Sequence, residues 1–337
     1  MSETDTQPGA PLASVVILNW NGAAVLPRAF PSLLRMDYPN YEIILVDNGS
    51  TDDSVAVAER LAAEVGRELR VVRNDANLGY NRGKNAGADA ASGKYLWLLD
   101  NDIEPEPDAL ARLVDFMERH PRVGLSGPLL LNRAADDAPE GSGMLYLAGG
   151  IPLEIHKVRR SFKGDAPVPV GTIVGNSIFV RRDTWEYVGG FEPSSLFCMN
   201  DVDLGPRVWC AGWGVAMVPA AVVYHHAFSR GTARRRRWGF LQYPAGVIRS
   251  MLRNYRPVNL LVALPLFFPL LALKLIKRSW LYRDPVFPFV LFPALWKALV
   301  QTPASLRQRR RVQALRRVRE DRFLRPARYA DLILEET

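Results

Sequence analysis

The chain has 337 residues, 48% hydrophobic and 23% charged, so it can bury a large core and lacks the composition of a disordered protein. Its only cysteines, Cys198 and Cys210, exclude a disulfide framework and a zinc-type ligand set. The net charge of +8 is uneven: residues 1–229 hold 20 Lys and Arg against 29 Asp and Glu, whereas residues 230–337 hold 23 against 6. Such a basic block beside apolar runs indicates an anionic partner surface, either phospholipid or nucleic acid.

The N-terminal residues 1–12 are polar and acidic and lack the charged-then-apolar order of a signal peptide. We predict a disordered lead-in there and a first domain on the cytoplasmic side. From Ser14 onward, continuous runs of Val, Ile and Leu alternate with helical stretches, as is typical of strands buried on both faces of a parallel sheet. Three helices are predicted between these strands, one ending near Arg35 and the others over about 52–66 and 81–91. The fold class is therefore α/β.

The chain beyond the fourth predicted strand is less regular. Residues 132–170 are rich in Gly, Pro, Ala and Asp and predict a variable loop region across the open edge of the site. A strand (TIVGNSIFVRR), a short helix, an amphipathic helix (DVDLGPRVWCAG) and two short strands (VAMVP and AVVYHH) follow. We predict one domain over residues 13–232 and a basic, apolar, helical region over residues 233–337.

The fourth predicted strand, KYLWLLD, ends on the triplet Asp100-Asn101-Asp102. Ligands bind at the carboxyl ends of strands in open α/β sheets, and Asn19 and Asp47 fall at the ends of two other predicted strands. Two carboxylates separated by one residue project to the same side and can share one hard cation and the phosphates that it neutralises. A plain strand-end turn is the alternative interpretation of the triplet.

Four segments in order, SVVILNWNG, ILVDNGSTDDS, NLGYNRGKNAG and LWLLDND, followed by GGFE, NDVDL and YHH, resemble the family 2 inverting glycosyltransferases, which have the GT-A fold. The resemblance covers about Ser14 to Phe228 and is closest to rhamnosyl- and galactofuranosyl-type transferases of polysaccharide assembly. It implies a nucleotide-sugar donor, a divalent cation (Mg²⁺ or Mn²⁺) and a lipid-linked or glycan acceptor.

The resemblance also implies roles on the donor side. Asp47 is expected to contact the nucleoside, Asp100 to hold the sugar and ribose side, and Asp102 to bind the metal. In NLGYNRGKNAG the glycines permit close backbone approach, and either Arg82 or Lys84 could meet the diphosphate. The candidate donor-binding residues are Asn19, Asp47, Asn77, Gly79, Lys84 and Asp100.

On the acceptor side, an inverting transfer needs a carboxylate that takes the proton of the attacking hydroxyl. The resemblance implies that Asp201 is this base, with Asp203 as the alternative, although relatives usually have Glu-Asp or Asp-Asp where this chain has Asn200-Asp201. A histidine at the YHH segment completes the metal site in the resembling enzymes. Because adjacent strand residues face opposite ways, only one of His225 and His226 should point at the metal, and we favour His225.

The last third of the chain favours a membrane surface over nucleic acid. The apolar run 258–273 is 16 residues long, shorter than the roughly 20 that span a bilayer, and Pro265 and Pro269 interrupt it. A re-entrant or interfacial helical hairpin is therefore expected. From Arg307 to Arg328, ten arginines are spaced as on a helix that could lie against anionic lipid. We predict peripheral or re-entrant association with the cytoplasmic face of the cell membrane and no nucleic-acid partner.

The leading hypothesis is transfer of a sugar to a hydroxyl of a growing glycan on a lipid carrier. Two alternatives stay open: a synthase that places one sugar directly on polyprenyl phosphate, and a catalytically silent membrane scaffold. The intact Asp100, Asp102, Asp201 and His225 argue against the scaffold. A Rossmann-type dehydrogenase is disfavoured because NWNGAA lacks the G-x-G-x-x-G fingerprint.

Overall fold

The structure is a computed structural model that describes residues 9–147, 150–154, 166–193, 199–226, 233–285 and 287–335, without the side chains of residues 233–236 and 287. Most of the predicted lead-in and part of the predicted loop region lie outside the described residues. The boundary that we predict at residue 232 also falls outside them, so the domain division stays a prediction.

Thirteen strands form two sheets in the described part of the chain. They are β1 (Ala13–Asn19), β2 (Tyr41–Asp47), β3 (Arg70–Arg73), β4 (Tyr95–Asp100), β5 (Ile103–Pro105), β6 (Val123–Asn132), β7 (Ala138–Pro139), β8 (Gly143–Tyr146), β9 (Pro152–Glu154), β10 (Val168–Pro169), β11 (Thr172–Ile173), β12 (Ser177–Arg181) and β13 (Gly214–His225).

Ten α-helices accompany the strands in the same described ranges. They are α1 (Leu26–Leu33), α2 (Ser54–Glu64), α3 (Tyr80–Ala90), α4 (Ala109–Arg119), α5 (Arg182–Val188), α6 (Asn200–Cys210), α7 (Ala233–Asn254), α8 (Pro257–Tyr282), α9 (Leu291–Ala314) and α10 (Ala330–Ile333). Short 3₁₀ turns cover Arg133–Ala135, Phe287–Val290, Arg322–Leu324 and Pro326–Tyr329.

The large sheet has the strand order β10-β13-β6-β12-β4-β1-β2-β3, with β5 paired to β13 and β7 to β6. Strands β3, β2, β1 and β4 are mutually parallel, and β12 runs antiparallel between β4 and β6. The central strands are buried from end to end because their continuous apolar runs are covered on both faces. The predicted strands and helices of this half are confirmed, with ends that differ by a few residues.

The structure corrects three details of the predicted second half. VAMVP and AVVYHH are one strand, β13, whose pairing with β6 shifts between Val218 and Val222. This irregularity accommodates Pro219, which cannot donate to a regular ladder. The segment TIVGNSIFVRR is two strands, β11 and β12, rather than one. The predicted loop region contains β8 and β9, which form a small sheet with β11.

The C-terminal helices are joined to the rest of the protein through a buried ionic cluster on α6. Asp203 forms ion pairs with Arg207 at 3.0 Å and with Arg253 of α7 at 2.9 Å, and Asn254 donates to the same carboxylate at 3.0 Å. Arg253 also lies 3.3 Å from Glu192. Asp203 and its three partners Arg207, Arg253 and Asn254 are all buried, so the Asp203 carboxylate and the two guanidinium groups depend on one another for charge compensation.

The arginines from Arg307 to Arg328 do not lie on one continuous helix, which corrects the prediction of a lipid-facing helix there. Helix α9 ends at Ala314, and the chain then continues in turns. Arg309 donates to the carbonyls of Leu252 and Tyr255, and Arg316 pairs with Asp321 at 2.8 Å. These two guanidinium groups therefore serve the C-terminal end of α7 and the tail, where backbone carbonyls need donors.

Helix α8 is continuous over 26 residues although it contains Pro265 and Pro269. The expectation of a short, broken apolar run is wrong here: α8 and the stretch Pro288–Ala314 are both long and apolar enough to cross a membrane. A narrow stripe of α8 is buried against the protein, whereas Leu261, Ile276 and Trp280 are 77%, 61% and 82% exposed. A helix that is apolar on nearly all sides suits a membrane better than water.

Replacement of Arg253 by Met should lower the free energy of unfolding by about 3–5 kcal/mol, because the variant leaves the Asp203 carboxylate buried beside fewer positive charges. Arg256→Met is the matched control, since Arg256 is exposed three residues further on, and it should change the free energy by less than about 0.5 kcal/mol. Chemical denaturation of the purified protein in detergent measures both. Equal free energies of unfolding for the two variants would contradict the proposed contribution of the ionic cluster to stability.

Candidate functional site

Three of the predicted site residues lie together at the carboxyl edge of the parallel strands. In the β1–β2 ladder Asn19 is opposite Asp47, and in the β1–β4 ladder Leu18 is opposite Asp100. The equal register of the three strands brings their polar last residues to one edge, as the sequence predicts.

Asn19 is fully buried, and its amide is committed to other protein groups. Its Nδ2 donates to Ser54 Oγ at 2.9 Å and to Ser50 Oγ at 3.3 Å, and its Oδ1 accepts from Asn101 Nδ2 at 2.9 Å. A Cβ at Gly22 would lie 2.1 Å from this Oδ1, so only glycine fits beside it. Asn19 thereby fixes the middle residue of the acidic triplet, and its place among the donor-binding residues stays a prediction.

The Asp47-Asn48-Gly49 turn holds the loop that leads into α3. Asn48 is buried; its Oδ1 accepts from the Leu78 amide at 3.1 Å, and its Nδ2 donates to Asn77 Oδ1 at 3.0 Å. Asn77 Oδ1 also accepts from the Gly79 amide at 2.9 Å. These bonds use the Asn77 side chain and the Gly79 amide to shape the loop, and the place of both residues among the donor-binding residues stays a prediction. Asp47 accepts from the Ser50 amide at 3.3 Å.

Gly79 has a φ of +83° and stands immediately before α3, a conformation that favours glycine. It sets the direction in which α3 leaves the loop, and Tyr80 and Lys84 follow one turn apart on the same helix face. Glycine at this position therefore positions two side chains that meet the end of β4.

Lys84 is fully buried and lies against Asp100 rather than free in the cleft. Its Nζ is 2.7 Å from Asp100 Oδ1, 2.8 Å from the Gly175 carbonyl and 2.6 Å from the Tyr80 hydroxyl. The Tyr80 hydroxyl is also within 2.8 Å of both Asp100 Oδ1 and the Gly175 carbonyl. Burial lowers the pKa of Lys84, and the Asp100 carboxylate opposes that shift. Lys84 is therefore committed to Asp100 in the described structure, whereas Arg82 on the same helix is exposed. Which of the two meets the diphosphate stays a prediction.

Asp201 is the second residue of α6 and is 6% exposed. Its Oδ2 accepts from the Gly175 amide at 3.1 Å and its Oδ1 from the Val202 amide at 2.8 Å. Burial raises the pKa of Asp201, and the two amides only partly oppose the shift. A carboxylate held by amides and with a raised pKa is a suitable proton acceptor.

Asp203, the alternative base, is occupied by the ionic cluster on α6. Burial acts to raise its pKa, but Arg253 and Arg207 hold that pKa below its ordinary value. A carboxylate between two guanidinium groups is a poor proton acceptor. The geometry therefore favours Asp201 over Asp203.

Asp102 and His225 are 123 residues apart in sequence and meet through β5, which pairs antiparallel with the end of β13. His225 Nε2 lies 3.3 Å from Asp102 Oδ2, and its Nδ1 lies 2.9 Å from Glu140 Oε2. The adjacent His226 instead contacts Glu104. Of the two histidines, it is thus His225 that faces the triplet, and its role as a ligand stays a prediction.

These residues fit a divalent cation on two observations. Asp102 Oδ1 is buried without a hydrogen-bond partner, as a carboxylate oxygen reserved for another ligand would be. Glu140 holds the far nitrogen of His225 and so orients the imidazole, an arrangement common around metal-bound histidines. Burial alone would lower the pKa of His225, but Asp102 and Glu140 raise it to about 10. Within the described residues no group of three or more His, Cys, Asp or Glu side chains is arranged to hold an ion.

Sequence reasoning did not identify Tyr80, Asn48 or Gly175 as parts of the site. Tyr80 lies just before the predicted helix 81–91, but the observed helix begins at Tyr80, which places it four residues before Lys84 on the same face. Gly175 carried no signal in the sequence, because its contribution is a backbone carbonyl and amide. Asn200, where the chain departs from the usual acid, has a buried Nδ2 without a hydrogen-bond partner in the described structure.

Two protein-family models together match most of the chain. The model of Glycosyl transferase family 2 matches residues 14–139, and that of Glycosyl transferase family group 2 matches residues 95–305. An N-acetylglucosaminyl-diphospho-decaprenol L-rhamnosyltransferase of Mycobacterium tuberculosis is 30% identical over 237 residues, which cover 63% of this chain and 75% of the relative.

Two solved structures share the fold. A mannosyltransferase from Pyrobaculum calidifontis in complex with GDP-Man and Mn²⁺ superposes with a TM-score of 0.58 and 18% identity, covering 96% of this chain and 88% of the other. GalNAc-T7 with UDP, GalNAc and Mn²⁺ has the same score and identity and covers 73% of this chain, but this chain spans only 48% of that one. The predicted GT-A fold is confirmed.

Lys84→Met should lower the free energy of unfolding by at least about 1–3 kcal/mol, because Asp100 and the Gly175 carbonyl lose a buried charged donor. Arg82→Met removes an exposed cation from the same helix and should change stability by less than about 0.5 kcal/mol. Thermal unfolding and nucleotide-sugar binding are measured together. An unchanged stability of Lys84→Met with a selective loss of donor affinity would instead favour direct contact of Lys84 with the diphosphate.

Proposed function

The chain belongs to glycosyl transferase family 2, and from this premise we propose that it transfers a sugar, with inversion, from a nucleotide-sugar to a hydroxyl of a lipid-linked glycan in cell-envelope assembly. The observation that carries the proposal is Asp201, a buried carboxylate without a cationic partner among the described ion pairs. The backbone of one residue, Gly175, links it to the Asp100–Lys84 pair: the amide donates to Asp201 and the carbonyl accepts from Lys84.

The donor would bind along the carboxyl edge of the parallel strands. Asp47, the last residue of β2, would accept hydrogen bonds from the nucleoside, while Asp100 would face the sugar and ribose. Asp102 and His225 would hold the Mg²⁺ or Mn²⁺ ion, with remaining ligands from the diphosphate and water. Such a cation supplies charge neutralisation for the leaving nucleoside diphosphate. Mn²⁺ accompanies the nucleotide ligands in the two solved relatives.

The acceptor hydroxyl would attack the anomeric carbon on the face opposite the leaving group. A bond forms between the acceptor oxygen and that carbon as the bond from the carbon to the diphosphate oxygen breaks. The hydroxyl proton passes to Asp201, whose raised pKa makes it a stronger proton acceptor than an exposed aspartate. The Gly175 and Val202 amides hold the carboxylate in place throughout.

The acceptor is proposed to be lipid-linked for two reasons. The rhamnosyltransferase relative is named for an acceptor on diphospho-decaprenol. In this chain α8 exposes large apolar side chains and packs against α7, which in turn packs against α6. This arrangement suits an enzyme held at the cytoplasmic face of the cell membrane. A sugar acceptor on a membrane carrier would then reach Asp201 without leaving the lipid.

Asp201→Asn should lower kcat by about 10²–10⁴-fold while nucleotide-sugar binding is retained, because the amide cannot take the hydroxyl proton. Transfer assays and donor titration on the same preparation separate the two effects. Asp203→Asn is the comparison: it should lose stability, and the enzyme that remains folded should keep turning over. Full turnover by Asp201→Asn would exclude it as the base and favour an acceptor that is already ionised, such as polyprenyl phosphate.

The same base predicts the acid limb of the pH–rate profile. Asp201 is active only when deprotonated, so turnover should fall as pH drops through its pKa, and burial places that pKa above the ordinary value of 3.8. The residual transfer of Asp201→Asn should lack this limb. An acid limb that persists unchanged in the variant would assign it to another group.

His225→Ala should raise the Mn²⁺ concentration for half-maximal transfer by at least about tenfold. His226→Ala, which removes the neighbouring imidazole that contacts Glu104, should have a much smaller effect. EDTA should abolish transfer by the wild type and Mn²⁺ should restore it. Transfer that is insensitive to EDTA would contradict the metal assignment.

A further inference from the structure

A groove beside α6 has no part in the donor chemistry described above. It is a cavity of about 830 Å³ between the small sheet, α7 and the C-terminal half of α8. Its walls include Met144, Leu147, Ile151, Leu153, Phe240, Tyr243, Leu270 and Leu273. The surface is therefore mostly apolar, and part of it stays exposed: Leu147 is 41% and Leu273 63% exposed.

One rim of the groove is basic. Lys274, Lys277 and Arg278 line it from α8 at spacings of three and four residues, so their side chains share one helix face. Among the described residues that line the groove, Glu154 is the only carboxylate. Lys274 lies 3.8 Å from the centre of the Tyr243 ring, and Arg278 donates to the Tyr282 hydroxyl. Aromatic neighbours thus hold two of the cations in place.

The groove runs up to the proposed base. Met199 lines it and is the residue immediately before α6, two positions from Asp201. Met199 has a φ of +63°, which is costly for a non-glycine residue and fixes the turn between the groove and the base. Glu154 is near enough that, after burial, its charge contributes to the raised pKa of Asp201.

A mostly apolar groove with three cations along its α8 wall matches an amphiphile that carries concentrated negative charge. A diphosphate can contact several ammonium and guanidinium groups at once, whereas a single phosphodiester carries only one charge. The exposed apolar side chains of α8 continue from the groove toward its N-terminal half, so a hydrocarbon chain has an apolar path out of the cavity.

We propose that this groove, lined by Leu147, Leu153, Tyr243 and Leu273 and rimmed by Lys274, Lys277 and Arg278, binds a lipid with a diphosphate headgroup. In this arrangement the hydrocarbon chain lies along the apolar walls and the cations hold the diphosphate. A sugar attached to that diphosphate extends past Met199 toward Asp201. The site deepens the proposed function, on which its role as an acceptor site rests.

The test uses the full-length protein in a neutral detergent with farnesyl diphosphate as the probe. Lys277→Glu reverses the charge of an exposed rim residue and should weaken binding by about tenfold or more. Arg307→Glu is the matched control, because Arg307 is exposed on α9 outside the groove, and it should weaken binding less than twofold. Thermal unfolding verifies that both variants are folded.

Three competitors distinguish the whole amphiphile from its separate halves and from an ordinary anionic lipid. Inorganic diphosphate and farnesol should each compete poorly, because each lacks one half of the amphiphile. Phosphatidylglycerol at an equal mole fraction in the micelle should also compete poorly. Equal weakening by Lys277→Glu and Arg307→Glu, or effective competition by inorganic diphosphate or phosphatidylglycerol, would overturn the proposal.

Hydrolysis of the nucleotide-sugar donor provides a separate readout. Lys277→Glu should leave the rate of donor hydrolysis unchanged, since the groove has no part in donor binding. Selective binding of farnesyl diphosphate without hydrolysis or transfer of any donor would contradict the proposed function but keep the groove. Transfer with no selective binding of farnesyl diphosphate would keep the function and reject the groove.

Discussion

The backbone of a single residue, Gly175, joins the two halves of the site. Its carbonyl accepts from the buried Lys84 ammonium at 2.8 Å, and its amide donates to Asp201 at 3.1 Å. A buried ammonium is stable only with full charge and hydrogen-bond compensation, which Asp100 and this carbonyl supply. Lys84, which contacts Asp100 at the end of β4, therefore also anchors Gly175, whose amide holds the proposed base. The proposed donor-binding residues and the proposed base thus keep a fixed position relative to each other.

The second constraint ties the apolar helices to the proposed catalytic helix. Asp201 and Asp203 lie on the same turn of α6 but have opposite environments: backbone amides hold the first, and guanidinium groups surround the second. Through Arg253, Asp203 fixes α7, and α7 in turn forms one wall of the apolar groove beside α8. We infer that a lipid-linked acceptor and the base that activates its hydroxyl are held by one continuous set of contacts.

Much of the carboxyl edge of the parallel strands, where the donor is proposed to bind, could be predicted from the sequence. The reason is that the pattern of apolar runs shows which polar residues stand at the ends of strands. The meeting of Asp102 with a histidine was also predicted, but only by resemblance to a family. The buried partners of Asn19 and Lys84 could not be predicted, because residue type does not reveal which groups a side chain contacts. Lys84 donates to a carbonyl that lies 91 residues away in the sequence. Helix α8 continues through Pro265 and Pro269, although prolines usually interrupt a helix.

The anomeric configuration of the product tests the central claim most directly. Wild-type enzyme is incubated with the nucleotide-sugar that supports turnover and a prenyl-diphosphate-linked sugar acceptor, and proton NMR of the new glycosidic linkage is compared with that of the donor. Direct attack assisted by Asp201 predicts a linkage of the opposite anomeric configuration. A product that retains the configuration of the donor would contradict the account, because retention by double displacement requires a nucleophile that it does not assign.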